Sequence, residues 1–358
     1  MKIVKPNAQL MEHNCHPYQF IEKVGRTCYK SEDKITPDSA VGFVKGLAAR
    51  KHGAMLEHEF LYLMYTNKRR NFANDLWRYL EATHTFPECR ELIKYMHFDH
   101  NLGVVGASFR TWIQFTDFMS SPDMMKGSGC NKTVLGLRTC LHASFPEVFS
   151  SIADTCLKRE KKAALEAEKS FLAKPVMRIV PREEIVEYLN KKQAEYTKIR
   201  AKKGIYYNPS NLLVHTILFT CDRGVSHEFV RHRPASFGQE STRYCNYTKG
   251  QFGSEITVIE PMFWKKNTKN YKTWKKGCEL SEQTYFELIN NGATAQEARS
   301  VLPNSLKTEI FITATEDEWQ HIVNLRYHGV TGAPHPQMKE VMALAYPLLV
   351  KASNGRIK

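Results

Sequence analysis

The strongest constraint on how this chain folds lies between residues 212 and 247. "LLVHTILFTCD" (Leu212–Asp222) is an apolar run rich in branched and aromatic residues, so it reads as a buried strand; it is too short to cross a membrane. "RGVSHEFVRHR" (Arg223–Arg233) then reads as a short helix. Pro234 stops it, because the residue before a proline is driven out of the helical region. "QESTRYCNY" (Gln239–Tyr247) reads as extended again. The two extended stretches enclose a helix that ends in three cationic residues.

That arrangement is suited to anions. At about 100° per residue, Arg231 and Arg233 diverge on a helix with His232 between them, in a last turn whose dipole favours cations. Glu228 lies one turn back and can orient Arg231 or His232, or accept hydrogen bonds from a ligand. In the extended stretch Ser241 and Arg243 share a face, with Thr242 and Tyr244 on the other; a hydroxyl beside a guanidinium suits a phosphate or carboxylate. Any one arginine taken alone is more simply a salt-bridge residue. The joint pattern RHR-x7-S-x-R is harder to reach by accident. At about 5% per residue type, five fixed positions arise in roughly one chain in ten thousand of this length.

Composition agrees with an anionic partner. The 358 residues are 42% hydrophobic and 25% charged, the balance of a globular protein with a sizeable core, and carry a formal net charge of +14. Nucleic acid, an acidic membrane face and small phosphate- or carboxylate-bearing molecules all fit that charge. The nine cysteines form no CxxC pair and no Cys/His set with zinc spacing, so no metal and no disulfide framework is expected, and a reducing compartment fits. The start lacks a signal-type apolar stretch. The expected location is the cytoplasm, or a host's cytoplasm for a viral protein.

Elsewhere, helices are expected over Ile21–Tyr29 and from the Pro37-Asp38-Ser39 turn onward, followed by a strand within "HGAMLEHEFLYLMY". From Thr66 to about Lys203 the text becomes Lys/Arg-rich and mostly helical. "KGSGCNKT" (Lys126–Thr133) falls short of a phosphate loop, because Asn131 stands where the second glycine should precede Lys132. Further helices are expected over Ser281–Asn291, Ala295–Val301 and Asp317–Tyr327, with a strand near Ile310–Ala314.

RHR-x7-S-x-R is the signature of the flavin-dependent thymidylate synthases, the ThyX family, and Arg231, His232, Arg233, Ser241 and Arg243 match it at every fixed position. "HGAMLEHEF" is similar to the family segment whose histidine approaches the flavin, here His52. "EARSVLP" resembles the segment whose arginine holds the nucleotide, here Arg299. "EWQHIVNLR" resembles the closing helix, with His321 toward the flavin and Arg326 on the pyrimidine. The likeness covers roughly residues 16 to 65 and 210 to 345.

The resemblance implies an α/β chain of the α+β type: a mostly antiparallel central sheet flanked by helices, with a catalytic core over 1–65 and 206–358 and a large, mainly helical insertion over 66–205. It implies reductive methylation of dUMP to dTMP with bound FAD, methylenetetrahydrofolate as carbon donor and NADPH as reductant, in a homotetramer whose sites are shared between subunits. Glu228, Arg231, Gln239, Glu240, Ser241, Thr242, Arg243, Arg299 and Arg326 would hold dUMP. His52, Arg231, His232, Arg233, Gln239 and His321 would face FAD. Arg326, on a helical face with Trp319 and Val323, is the expected catalytic cation: it would stabilise the anion that develops at the ring's amide edge. Ser241 is read as a binding hydroxyl, since local spacing puts no histidine base beside it. Thr315 and Asp317 stand where family members can carry Asn and Arg, and Ala54 replaces a residue that is often hydroxylated.

Two other readings compete. A basic nucleic-acid-binding protein without activity would use the charge and the aromatics of "FWKKNTKNYKTWKK" (Phe263–Lys276), though no known binding motif supports it. A metal hydrolase built on His52, His227 and His232 lacks both HExxH and a carboxylate ligand set.

Overall fold

The computed structural model describes all residues except 14, 68, 84–85, 121–131, 152–160, 204–210 and 249–252; of 132, 161, 163–164 and 196–203 it describes the backbone alone. The "KGSGCNKT" segment therefore lies largely outside the described residues. The chain opens with β1 (Lys2–Val4), β2 (Asn7–Met11), α1 (Pro17–Tyr29), α2 (Ser39–Ala49) and β3 (Phe60–Tyr65). It continues through α3 (Phe72–Ala82), α4 (Pro87–Ile93), β4 (Met96–Asp99), β5 (Val104–Ser108), α5 (Phe109–Met119), α6 (Lys132–Ser144), α7 (Lys161–Ala173), β6 (Met177–Val180) and α8 (Arg182–Lys203). The last part holds β7 (Val214–Asp222), α9 (Arg223–Phe229), β8 (Ser236–Gln239), β9 (Thr257–Ile259), α10 (Lys269–Asn290), α11 (Ala295–Ala298), β10 (Lys307–Thr315), α12 (Glu316–Val323) and α13 (Pro336–Ala352). By internal contacts there are two compact units: Met1–Asn14, Glu22–Pro37 and Val214–Lys358, and Cys15–Ile21 with Asp38–Leu213. Residues 38–65 cluster with the segment expected to be an insertion.

In the first unit a four-stranded antiparallel sheet runs β2-β7-β10-β8. β10 pairs with β7 over its whole length, from Lys307 opposite Asp222 to Thr315 opposite Val214. On its other side β10 pairs with β8, from Ile310 opposite Gln239 to Thr313 opposite Ser236. Alternate residues Ile217, Phe219 and Cys221 of β7 and Ile310, Ile312 and Ala314 of β10 face one core. Phe229, Trp319, Met338 and Met342 from α9, α12 and α13 fill it. Burial of each such side chain contributes about 1.5–3 kcal/mol. A two-stranded parallel pair, β1 with β9, covers a smaller core with Tyr247, Cys278 and Tyr285.

The second unit has its own antiparallel sheet, β4-β5-β3-β6, in which all five residues of β5 are buried. Its polar groups are tied internally: Tyr62 donates to the Leu212 carbonyl (2.8 Å) and Trp112 to the Leu61 carbonyl (3.1 Å). The expected mixed architecture with mostly antiparallel sheets is the one the chain adopts. Within 66–205 the helices α3 to α8 are accompanied by three strands that the sequence reading missed: β5 and β6 pair with β3, and β4 pairs with β5.

Three local expectations are corrected. The helix after β7 ends at Phe229, four residues before Arg233, so RHR is not helical. Tight turns replace it, with the His232 N–H on the Phe229 carbonyl and that of Ala235 on His232. Gln239 ends a strand rather than beginning one. Ser241–Tyr244 form a turn in which the Tyr244 and Cys245 N–H groups both reach the Ser241 carbonyl. Finally, α10 starts at Lys269 rather than Ser281, capped by Thr268, whose hydroxyl accepts the Tyr271 N–H. Its lysine-rich half hid a stripe of buried residues, Tyr271, Cys278 and Tyr285, seven apart and hence on one face.

Candidate active site

The x7 spacer of the motif is a piece of sheet. Pro234 and Ala235 turn the chain, Ser236–Gln239 form the edge strand β8, and Glu240 leaves it, so RHR stands at the strand's entry and Ser241-Thr242-Arg243 at its exit. The antiparallel partner β10 brings different groups to each end: α12 follows β10 at the Ser236 end, while Lys307 and Glu309 lie at the Gln239 end. Two side-chain clusters result.

At the entry, α9 is launched by Asp222, whose Oδ1 accepts the Val225 N–H (2.7 Å), and carries Glu228 to the strand's start. Glu228 partners neither Arg231 nor His232. Instead its Oε2 accepts from Arg326 Nη1 (2.7 Å), its carbonyl accepts from Arg326 Nη2 (3.2 Å), and His232 Nε2 accepts from Arg326 Nε (3.1 Å). Arg326 sits in a π-helical turn, Asn324–His328, that follows α12. This breaks the straight helical face expected through Trp319, Val323 and Arg326. Such turns insert one residue into a helix and are frequent at functional sites. His232 is buried, and His321 packs edge-on against it with ring centroids 5.7 Å apart. Thr315 caps α12 by accepting the Glu318 N–H, and Asp317 is exposed.

His232, Glu318 and His321 bring three ligand-type atoms within 4.8 Å of one another, a grouping the sequence reading did not foresee. The donor chemistry argues against a cation there. Arg326 already occupies the lone pair of His232 Nε2 and places a guanidinium beside the cluster.

At the exit the charges are layered. Glu240 is buried, and its carboxylate turns inward to Lys307 (3.4 Å), Lys30 (3.9 Å) and the Glu309 N–H (3.3 Å), while Lys30 also pairs with Glu309. Burial alone would lower the Lys30 pKa, but Glu240 and Glu309 outweigh it and hold the ammonium above its ordinary value. Burial likewise opposes ionisation of Glu309, and Lys307 and Lys30 hold its carboxyl below the usual range. Lys30 occupies the left-handed region at φ 49°, a place that glycine usually takes beyond a helix; its ion pairs offset the strain. Above this layer, Arg299 Nη1 donates to Thr242 Oγ1 (3.5 Å), Arg243 lies over the Tyr244 ring, and Ser241 Oγ accepts the Arg243 N–H (3.4 Å). Gln239 Nε2 spans the strand to Ser226 Oγ (2.8 Å) and Thr308 Oγ1 (3.2 Å).

Arg231, Arg233, Arg243 and Arg299 are exposed and, among the described residues, have no carboxylate partner. The structure thus gathers the twelve first-unit site residues into two groups: Glu228, His321 and Arg326 with Arg231-His232-Arg233, and Gln239 to Arg243 with Arg299. His52 belongs to the second unit, exposed at the start of the turn Gly53–His58. Burial pushes the thiols of Cys28 and Cys245, beside the exit cluster, up to about 12, which removes them as nucleophiles near neutral pH. Sequence reasoning missed Lys30, Lys307 and Glu318. Their only signal was the alternation "KTEIF", which puts Lys307 and Glu309 on one face of a strand.

A family described as thymidylate synthase complementing protein matches residues 146–352, more than half of the chain. A flavin-dependent thymidylate synthase from Thermococcus onnurineus is 33% identical over 40% of this chain and 58% of its own length. Another, from Pyrococcus furiosus, is 36% identical over 34% of this chain and 50% of its own. The chain thus spans between half and three-fifths of these relatives' lengths. A solved UMP/dUMP methylase PolB from Streptomyces cacaoi, bound with 5-Br dUMP, aligns over 98% of this chain and 93% of its own at 12% identity and a TM-score of 0.36, a likeness too remote to carry an argument.

Proposed function

This chain belongs to the family of flavin-dependent thymidylate synthases, and from that premise we propose that it methylates dUMP reductively to dTMP, with FAD bound, methylenetetrahydrofolate giving the carbon and NADPH the reducing equivalents. The observation that carries this reading is the contrast between one guanidinium held on three sides, Arg326, and four left open to solvent around β8. Open cations with no internal counter-ion favour a ligand rich in phosphate.

At the exit end, Ser241, Thr242, Arg243 and Arg299 would take the phosphate of dUMP, with Gln239 beside the base and the buried Glu240 holding the turn in place. At the entry end, Arg231, His232, Arg233 and His321 would face FAD. This donor set fits the flavin's pyrophosphate and ring. When bound, the flavin supplies the hydride that reduces the transferred carbon. The residues supply orientation and charge. A guanidinium has five N–H donors and Arg326 uses three internally, which leaves two for the amide edge of the pyrimidine. There they would stabilise the negative charge that grows as C5 becomes nucleophilic. Glu228 fixes the plane in which those donors point.

β8 separates the two clusters by about 13 Å, at about 3.3 Å per residue. That span favours sites completed by other copies, in a homotetramer. Among the described residues no helix is long and apolar enough to cross a membrane, and the cytoplasm, with neither nucleic acid nor membrane as partner, is the proposed setting.

The test is NADPH oxidation by the purified yellow protein, with and without dUMP and methylenetetrahydrofolate, followed to dTMP. Product formed only with all three would support the proposal. A colourless protein that binds nucleic acid with a steep salt dependence would replace it by the binding reading.

A further inference from the structure

We infer that Glu318 is a positioning residue: it fixes the proton of His232 on Nδ1 and through that histidine holds Arg326 in place. A guanidinium only donates hydrogen bonds. The 3.1 Å contact between Arg326 Nε and His232 Nε2 therefore requires a lone pair on Nε2, and the ring's proton must sit on Nδ1. His232 Nδ1 faces Glu318 Oε1 at 3.5 Å, and that oxygen is buried with no hydrogen-bond partner among the described residues. A small ring rotation closes the gap to hydrogen-bond distance.

Glu318 has an alternative that it does not take. It stands three residues after the N-cap Thr315, the place from which a glutamate reaches back to close a capping box, as Glu297 does to Thr294 in α11. Its Oε1 is turned to the histidine instead. The order of contacts is then Glu318, His232, Arg326, with Glu228 on the far side of the guanidinium. If the His232 proton moved to Nε2, two N–H groups would oppose each other and Arg326 would swing away.

The inference deepens the proposed function, because the importance of Arg326 rests on that reading. The tautomer itself rests on geometry alone, so the experiment has separate arms. Nitrogen NMR on protein with isotope-labelled histidine should show His232 with Nε2 unprotonated in the parent and in Glu318→Gln, whose amide oxygen still accepts. In Glu318→Leu the proton should redistribute to Nε2. A parent protonated at Nε2, or a leucine variant with an unchanged tautomer, overturns the inference.

In the complete assay, Glu318→Leu should lower kcat roughly 10- to 100-fold, the range found where a histidine's far nitrogen loses its orienting partner. KM for dUMP and flavin content should stay near the parent's, and Glu318→Gln should retain most of kcat. Unchanged kcat in the leucine variant with a shifted tautomer overturns the link to Arg326. If the parent makes no dTMP, the proposed function fails while the NMR arm still decides the tautomer. Saturable Zn2+ binding to the flavin-free protein, lost in both Glu318→Gln and His321→Ala, would mark the cluster as a metal site and overturn the inference as well.

Discussion

The two units each hold a four-stranded antiparallel sheet, and the sheets treat their positive charges differently. In the second unit, three arginines near the sheet are neutralised by close carboxylates: Arg178 by Glu184 (2.7 Å), Arg70 by Asp75 (2.9 Å), Arg110 by Glu57. In the first unit Lys30 and Lys307 are neutralised beneath the surface by Glu240 and Glu309, while Arg231, Arg233, Arg243 and Arg299 have no such partner among the described residues. The lesson is that net charge says little until each cation's counter-ion is located. Cations that the fold neutralises are architecture, and those it leaves open at one sheet edge are the ones the proposed function assigns to a ligand.

Breaking the buried layer should have the largest effect. Glu240→Ala leaves Lys30 and Lys307 to share Glu309 alone, and denaturant unfolding should register a loss of about 3 kcal/mol, the low end for a broken buried pair. Arg178→Met in the other sheet, where the pair is half-exposed, should cost less than about 1 kcal/mol. Comparable losses from the two variants would erase the distinction between layers.

Next in size is Arg326→Ala. Removing one pre-oriented donor to developing charge typically lowers kcat by about 100- to 1,000-fold. Tritium release from labelled dUMP should fall by that amount while flavin stays bound; near-normal turnover would take Arg326 out of the chemistry. Arg243→Ala should weaken dUMP binding by about 10- to 100-fold, equivalent to one charged hydrogen bond of about 1.5–3 kcal/mol, and leave the unfolding midpoint almost unmoved. A large stability loss instead would show that this arginine belongs to the architecture.

The smallest effect concerns the second unit. Burial raises the Glu59 carboxyl to about 8, with Arg182 only partly opposing it. The folded state thus keeps a proton that the unfolded chain releases above its ordinary carboxylate range, and stability declines as pH rises from about 4.5 to about 8. Glu59→Gln should flatten that decline, by about 1 kcal/mol between pH 7 and 8 in thermal unfolding. An unchanged slope would assign the pH dependence to other groups.

Much of this was legible beforehand because it depends on local pattern. β7 and β10 are apolar stretches of high strand propensity, α2 follows a clear turn, and RHR-x7-S-x-R gathers its residues within one short span. What was lost depends on partners distant in sequence. Nothing near Lys30 announces Glu309 or Glu240, and a lysine in left-handed backbone gives no glycine to mark the end of α1. β8 was hidden because "SFGQ" has the propensity of a strand only when β10 lies beside it. The three strands within 66–205 were masked by the Lys/Arg-rich helices around them. Glu318 lies in the first turn of a helix expected from the sequence, and only the fold brings His232 within its reach.

The π turn at Asn324–His328 changes how this stretch must be compared with others. One additional residue in the wind of a helix sets every later side chain back by a step, about 100° around the axis. Arg326 therefore owes its aim to a phase slip. A relative that lost one residue between Val323 and Gly329 would keep a regular helix and yet point the same arginine into solvent.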